Sequence, residues 1–367
     1  MKEGWSYKKL GEVARVIHGK NQKDVLSANG QYPIYGSGGT IMGYANDFLC
    51  EARTTILGRK GSINNPQFIE ERFWNVDTAF GITALPGNNS KFIYYFIKSI
   101  DWSKKNTGTT LPSLTQQVVI SVEIPVPPLS EQHSIVSRLD AAFSHIDALI
   151  ANAEKQLNEA RKLFQAELTE CMKPKEGWEE KKIGDVFQTY AGGTPLKSGK
   201  GYYEGGTIPW IRSGEVCQMY IRDCEMCITE EGMKNSSAKY YPVDTILVAM
   251  YGATAAQVGI LKFEATSNQA VCGILPHKDF IPEYIYYWFT NIQKDLAAQA
   301  QGGAQPNLSQ VKIKKVSISY PSRTIQHSIV SHLDSLSSTI RKLEELQQKT
   351  LAECDALKQA MLREVLE

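Results

Sequence analysis

A chain of 367 residues with 42% hydrophobic and 22% charged side chains has room for two or three domains with real cores and the make-up of ordinary globular protein. Its formal net charge of +1 gives no basic excess that would by itself point to nucleic acid, and no apolar run approaches the roughly 18 residues that cross a bilayer. The start, Met1-Lys2-Glu3-Gly4-Trp5, has no apolar signal core, and seven cysteines without regular spacing argue against a disulfide framework, so a cytoplasmic protein with no membrane partner is expected.

The near-neutral total hides a gradient. Residues 1 to 128 hold 14 basic and 10 acidic side chains, 129 to 171 hold 4 and 7, 172 to 322 hold 16 and 15, and the remainder 6 and 7. Only the first of these parts is appreciably basic.

In chain order, one unit is used twice. Lys2-Glu3-Gly4-Trp5 followed by Lys8-Lys9-Leu10-Gly11-Glu12-Val13 recurs 173 residues later as Lys175-Glu176-Gly177-Trp178 and Lys181-Lys182-Ile183-Gly184-Asp185-Val186. Ser37-Gly38 answers to Ser213-Gly214, and Ile93-Tyr94-Tyr95-Phe96 to Ile285-Tyr286-Tyr287-Trp288. Gly108 and Leu114 answer to Gly302 and Leu308. The order is kept while the offset grows to 194, so this is a tandem duplication with insertions in the second copy rather than a short-period solenoid.

Each copy reads as mixed α and β. β-favouring runs such as Ile120-Ser121-Val122-Glu123-Ile124 and Thr245 to Met250 sit between Gly, Asn and Pro turn signals. The aromatic segments 92 to 100 and 282 to 292 predict short helices with their rings in the core, base stacking being the sharper alternative. Pro125, Pro127 and Pro128 precede one long segment and Pro321 the other, marking a hand-over from strand to helix.

Those long segments open on Gln132-His133-Ser134-Ile135-Val136-Ser137-Arg138-Leu139-Asp140 and on Gln326-His327-Ser328-Ile329-Val330-Ser331-His332-Leu333-Asp334, identical at eight of nine positions. Apolar residues then recur at steps of four and three: Ile135, Leu139, Ala142, Ile146, Leu149, Ala153 and on to Leu157, Ala160, Phe164 and Leu168 in the first. The second continues Ile329, Leu333, Leu336, Ile340, Leu343, Leu346, Leu351, Cys354, Leu357 and Met361. This is a coiled-coil pattern. Because the first helix leads from one globular part to the other and the second must run back along it, the pair is expected to be antiparallel. About 40 residues at about 1.5 Å each make a spacer of roughly 60 Å. The expected fold class is α+β, with two α/β domains joined by two long helices and related by a pseudo-two-fold internal repeat. Its parts are residues 1–128, 129–173, 174–322 and 323–367. Two similar but diverged domains at fixed spacing suit a bipartite, asymmetric target on a rigid rod, and duplex DNA is such a target.

Gly-Thr-Thr-Leu-Pro-Ser-Leu at 108 to 114, then Ile-Pro-Val-Pro-Pro-Leu-Ser-Glu-Gln at 124 to 132 and the helix that follows, resemble the end of a target recognition domain and the conserved-region helix of a type I restriction-modification specificity subunit. The Gly-Trp-x-x-x-Lys-Leu-Gly-Glu-Val opening of such domains stands at Gly4 and again, with changes, from Gly177 to Val186. The resemblance covers essentially the whole chain. The second copy departs from it where Pro128 becomes Ser322 and Glu131 becomes Ile325. It implies a subunit without catalytic activity that reads double-stranded DNA and docks two modification subunits along its helices. Those partners bind S-adenosylmethionine and methylate adenine, so no cofactor is expected in this chain. With motor-nuclease restriction subunits added, the assembly cuts unmodified DNA.

Base edges are read by Arg, Lys, Asn, Gln, Ser and Thr on exposed loops, and phosphates by Lys, Arg and the amides of Gly-rich turns. Ser37, Gly38, Thr40, Arg59, Lys60 and Ser62 meet that description in the first domain, with Lys104, Lys105 and Thr109 near its end. Arg212, Ser213, Tyr251, Thr254 and, in the polar run 299 to 307, Gln305 and Asn307 occupy corresponding places in the second. The helix faces left free by the seam, with the helix starts at Gln132 and Gln326, are expected to help hold the modification subunits.

Signs of independent chemistry are weak. Asn65-Pro66-Gln67-Phe68 lacks the second proline of an adenine methyltransferase motif, and no phosphate-binding loop is present. His133 and His327 beside Ser and Asp read as helix-surface or packing residues rather than triads. Cys224 and Cys227 with Cys217 and Cys272 are a conceivable zinc set, but the usual second Cys-x-x-Cys is missing, and no metal is expected. A protein-binding scaffold is the rival in a different class, kept alive by the near-neutral charge, and an enzyme built on the cysteines around 217 to 227 is a weaker one.

Overall fold

The recurring Lys-Lys-Leu/Ile-Gly-Glu/Asp-Val pattern builds the same local structure twice. In the computed structural model, which describes residues 4–196, 201–299 and 308–366, β1 (Ser6–Lys9) runs into a single helical turn, α1 (Leu10–Val13). Leu10 and Val13 are buried, and the Glu12 carboxylate accepts the Lys9 amide at 2.6 Å. Gly11 has a steric reason: a Cβ there would stand 3.0 Å from the Ile120 Cβ. In the second copy, a Cβ on Gly184 would lie 2.9 Å from the Lys314 Cβ.

The chain divides into two compact units, residues 1–154 with 346–367, and residues 155–345. In the first, β2 (Ala14–His18), β5 (Thr54–Gly58), β6 (Gln67–Ile69) and β8 (Ala79–Ala84) form an antiparallel sheet in the order β2-β8-β5-β6. A smaller sheet, in the order β4-β3-β7, joins β3 (Tyr32–Tyr35) antiparallel to β4 (Ile41–Ala45) and parallel to β7 (Trp74–Asn75). The aromatic helix α2 (Ser90–Ser99), then α3 (Gln116–Ile120) and β9 (Glu123–Val126), which pairs with β1, lead into the long helix α4 (Leu129–Met172).

The second unit reuses this plan. β10 (Glu179–Lys182), α5 (Ile183–Val186), β11 (Thr189–Ala191) and β12 (Ile208–Ile211) are followed by β13 (Tyr220–Ile221), β14 (Cys227–Ile228) and α6 (Glu230–Lys234). Then come β15 (Ile246–Ala249), β16 (Val258–Leu261), β17 (Thr266–Ser267) and β18 (Val271–Ile274). The sheets run β11-β18-β15-β16-β13 and β14-β12-β17, with β12 parallel to β17 as β3 is to β7. The insertion in this copy contributes β13, which extends the larger sheet beside β16. α7 (Pro282–Asn291), α8 (Gln293–Gln299), α9 (Gln310–Lys315) and β19 (Ser317–Tyr320), paired with β10, complete the copy before α10 (Arg323–Leu366).

The repeated nonapeptide joins each domain to its helix. Gln132 is 1% exposed; its side-chain oxygen accepts the amide of Asn89, the N-cap of α2, at 2.8 Å, and its nitrogen donates to the Pro127 carbonyl at 3.0 Å. Gln326 is fully buried, accepts the amide of Ile281, the N-cap of α7, at 3.0 Å, and donates to the Asp279 and Pro321 carbonyls. The closing aspartates, two turns further along the long helices, also hold the aromatic helices: the Tyr95 hydroxyl donates to Asp140 and the Tyr287 hydroxyl to Asp334. Between them Ile135, Val136 and Leu139, like Val330 and Leu333, enter the cores. The predicted aromatic helices thus keep their rings inside, with Phe92, Tyr95, Tyr284, Tyr287 and Phe289 all buried.

Within each unit the long helices pack antiparallel. In the first, Ile135 and Leu139 of α4 share the core with Leu362 and Leu366 of α10, and Lys358 pairs with Asp147. In the second, Leu168 and Met172 meet Val330 and Leu333, Arg161 pairs with Glu344 at 2.6 Å and His332 with Glu167 at 3.0 Å. The predicted seam needs correction at Leu149, Leu346 and Leu357, which are 60%, 59% and 51% exposed. An α-helix drifts by about 20° per heptad against a strict seven-residue repeat, so positions in phase at one end leave the contact further along. A second correction falls at 120 to 122: Ile120 ends α3 and the strand starts only at Glu123, because Thr115 caps the Val118 amide and holds a helical turn there.

Replacing Gln326 by Leu strands a buried amide and two carbonyls. It is expected to destabilise the protein by about 2 kcal/mol, read as a lower urea midpoint, and an unchanged midpoint would rule out the clamp. Burial, and after it Asp334, push the Tyr287 hydroxyl up from its ordinary value of 10.0, and Asp140 assists burial at Tyr95 in the same direction. The folded state therefore holds these phenols neutral. Their contribution is complete below about pH 10 and is lost as pH rises through the folded-state values. Tyr287→Phe is expected to flatten the alkaline fall in stability measured by denaturation above about pH 10.

Candidate nucleic-acid interface

Two clefts occupy the same place in the two copies. Each opens at the carboxyl ends of the parallel pair, β3 with β7 in the first unit and β12 with β17 in the second. Side chains leaving two parallel strands at the same end converge, and loops there can change without disturbing the ladder.

In the first unit the cleft has a volume of about 590 Å³; Ser37, Gly38, Thr40 and Ser62 line it with Gln22, Asn65, Asp77 and Thr78. A neighbouring hollow of about 440 Å³ shares Ser62 and Asn65 and reaches Ser103, Asn106 and Pro112. The turn after β5 is forced by Gly58, where a Cβ would lie 2.1 Å from the Ser62 carbonyl oxygen. Its amides are held by Thr78, which accepts from Arg59 at 2.8 Å and Lys60 at 3.1 Å, and the Arg59 guanidinium donates to the Asp77 carbonyl at 3.0 Å. The 108 to 114 motif is tied to this turn: Gly61 donates to Pro112, and buried Leu114 donates to Arg59. Asn106 ties the loop to itself, its side-chain oxygen accepting the Gly108 and Ser113 amides and its nitrogen donating to the Gly108 carbonyl.

Lys60, Lys104 and Lys105 are exposed on the segments that border these hollows, and Thr109 is exposed on the loop. Lys104 lies 3.9 Å from Asp101 with 82% of its side chain in solvent, a pair too open to hold the cation. Met42 and Val76 share the walls with these hydrogen-bonding side chains, and among the described lining residues Asp77 is the one ionisable group, while the cations stand at the edges. That division matches base-edge groups inside and phosphate groups outside.

In the second unit the cleft measures about 600 Å³ and is lined by Thr194, Tyr203, Trp210, Arg212, Met226, Asn268 and Gln269. Burial pushes the Tyr203 hydroxyl up, keeping it a neutral donor, and it donates to the Pro195 carbonyl at 2.6 Å. Arg212 is half-buried and shared between the carboxylates of Glu215 and Glu225. Ser213 opens the short turn Ser213–Glu215, while Tyr251 precedes and Thr254 ends the turn Gly252–Thr254; none of the three is in the cleft lining. Leu308 donates to Met250 as Leu114 does to Arg59, which sets Met250 and Tyr251 in the places of Arg59 and Lys60, so the cations of that turn are not repeated. Gln305 and Asn307 lie outside the described residues.

The sequence did not mark Gln22, Asp77 and Thr78, nor Thr194, Asn268 and Gln269, as site residues, and Asn65 drew notice only through the incomplete Asn65-Pro66-Gln67-Phe68 motif. The signal was present in part: Val76-Asp77-Thr78-Ala79 and Asn268-Gln269-Ala270-Val271 each follow a parallel strand, but only the pairing reveals that. Gln132 and Gln326, expected to help hold a partner, are instead buried, with the side-chain oxygen and nitrogen of each hydrogen-bonded inside its own domain. Cys272 is fully buried, with its thiol pushed up to about 12 by burial, whereas Cys217 is exposed. These two do not close a set with Cys224 and Cys227 among the described residues.

Two similar domains, each with a cleft at the ends of a parallel strand pair and each joined to a long helix through a buried glutamine, define a duplicated recognition protein. The family of type I restriction modification DNA specificity domains matches residues 2–159 and 175–352, and the chain belongs to it: a specificity subunit with two target recognition domains. It is 26% identical over 273 residues, 72% of this chain and 68% of the other, to the EcoR124I/EcoR124II specificity subunit of Escherichia coli. It is 33% identical to the MjaIX specificity subunit of Methanocaldococcus jannaschii over half of this chain and 44% of that one. Two solved chains share the fold at 17% identity: one from a type I R-M system, with TM-score 0.79 over 100% of this chain and 98% of that one, and the HsdS subunit of Thermoanaerobacter tengcongensis, with TM-score 0.57 over 100% and 97%. No helix among the described residues is long and apolar enough to cross a membrane.

Asn106→Ala removes three local hydrogen bonds from an exposed loop. Limited proteolysis between 107 and 113 is expected to accelerate severalfold while global stability moves by less than about 1 kcal/mol; an unchanged cleavage rate would show that the loop is held elsewhere.

Proposed function

We propose that this chain is the DNA-reading subunit of a type I restriction-modification complex and recognises a bipartite, asymmetric duplex site, one half per recognition domain. The observation that carries this reading is that the two clefts hold the same position in each copy but are lined differently: Ser37, Thr40, Ser62, Asn65 and Asp77 in one, Thr194, Arg212, Asn268 and Gln269 in the other. One scaffold with two sets of hydrogen-bonding groups is what reading two different half-sites requires. Amide side chains suit adenine edges, and Lys60, Lys104 and Lys105 suit the adjoining phosphates.

The two 44-residue helices set the gap between half-sites and present their remaining faces to two modification subunits. Those subunits bind S-adenosylmethionine and receive the flipped adenine in their own pockets, and restriction subunits join the assembly for cleavage. This chain performs no chemistry itself and works in the cytoplasm. A scaffold that only holds proteins has nothing in its favour beyond the near-neutral charge.

Duplex binding by the reconstituted complex is expected to weaken steeply as salt rises; affinity indifferent to salt would remove the DNA-reading role. Gln269→Ala should relax selectivity at one half-site by about 1–3 kcal/mol per lost bidentate contact, read by mapping methylated adenines. A loss spread over both halves would contradict the modular reading. Adding one heptad to both helices should change the gap of the methylated site, and an unchanged gap would refute the spacer.

A further inference from the structure

The two nonapeptides differ at a single position, Arg138 in the first and His332 in the second, and the two side chains meet different neighbours. Arg138 stands near Glu131, Met361 and Glu364, a setting for an ordinary ion-pairing cation. His332 meets Glu167 and Cys171 of α4, which are four residues apart and therefore on one helix face. One donor atom from each of the three lies within 4.8 Å of the others: the His332 Nε2 is 3.0 Å from the Glu167 Oε1, and the Cys171 Sγ is 3.8 Å from the same oxygen.

We infer that Glu167, Cys171 and His332 form a site for a divalent transition-metal ion of zinc type, bridging the two long helices within the second unit. Tetrahedral zinc with bonds of about 2.0–2.3 Å needs donor atoms roughly 3.3–3.8 Å apart; the Glu167 oxygen lies 3.0 and 3.8 Å from the other two donors, and those two are within 4.8 Å of each other, so small side-chain adjustments reach that geometry. The donor set is selective: thiolate and imidazole favour zinc, copper or nickel over magnesium and calcium. Cys171 faces the apolar core while Glu167 and His332 retain contact with solvent, so protein supplies three ligands and water can take the fourth position. A bound ion would clamp α4 to α10 where the first unit has no comparable trio among the described residues, giving the second helix junction a metal-dependent stability that the first lacks.

The full chain, stripped with a chelator, is titrated with zinc by equilibrium dialysis and with cobalt by absorption. Binding of about one zinc per chain is expected, with thiolate-to-cobalt charge transfer and a rise in melting temperature on metal addition. His332→Arg, which installs the residue of the first copy, and Cys171→Ser should each weaken zinc binding by more than about tenfold and abolish the metal-dependent rise in melting temperature. A Cys224→Ser/Cys227→Ser variant should bind zinc as the parent does. Absence of stoichiometric zinc binding in the parent chain, undiminished binding in both His332→Arg and Cys171→Ser, or loss only in the Cys224→Ser/Cys227→Ser variant would each overturn the site and leave His332 and Glu167 an ion pair.

Discussion

The start of each long helix is fixed to its domain by a buried glutamine side chain. A primary amide offers an acceptor and a donor on one rigid plane, and Gln132 and Gln326 use both: the oxygen takes the first free amide of an aromatic helix, the nitrogen fills the carbonyls just before the long helix begins. Helix starts leave amides without partners, and burying one costs about 1–3 kcal/mol if nothing accepts it. Meeting that need from the next helix makes the direction of the long helix a property of the domain core. Asp140 and Asp334 repeat the device two turns further on, through tyrosine hydroxyls.

This arrangement lets the recognition surface vary. The clefts grow from the ends of β3 and β7, or β12 and β17, on loops fixed by backbone contacts such as Leu114 to Arg59 and Leu308 to Met250. Side chains at Asn65, Thr78, Arg212 or Gln269 can therefore change without altering the ladder beneath them, which is how one fold carries two unlike clefts in a single chain. The differing charge at the turn after β5 and after β15 has the same origin: the backbone hydrogen bond is kept, while the side chain is free to be Arg59 in one copy and Met250 in the other.

The long helices show how far a heptad pattern reaches. Ile135, Leu139, Ile146, Leu157 and Leu168 pack as their spacing foretells, yet Leu149, Leu346 and Leu357 stand in water. Hydrophobic spacing says that two helices meet, whereas the drift of an α-helix relative to seven residues decides which leucines remain at the contact. The polar positions of the nonapeptide were harder still. Their recurrence was plain, but a surface docking role and an internal clamp look identical in one dimension, and only the burial of Gln132 and Gln326 separates them.

By itself the sequence determined the duplication, the mixed α and β class, the placing of the aromatic rings in the core, the extent of both long helices and the family, because each rests on periodicity, hand-over prolines or local motifs. Tertiary structure alone decided which residues share a cleft. Asn268 lies 56 residues beyond Arg212 in the chain and meets it across a cleft only because β12 and β17 pair in parallel. The same holds for Glu167, Cys171 and His332, which antiparallel packing of two helices brings within reach of one ion. Contacts set by strand pairing and helix direction leave no local trace in composition or spacing.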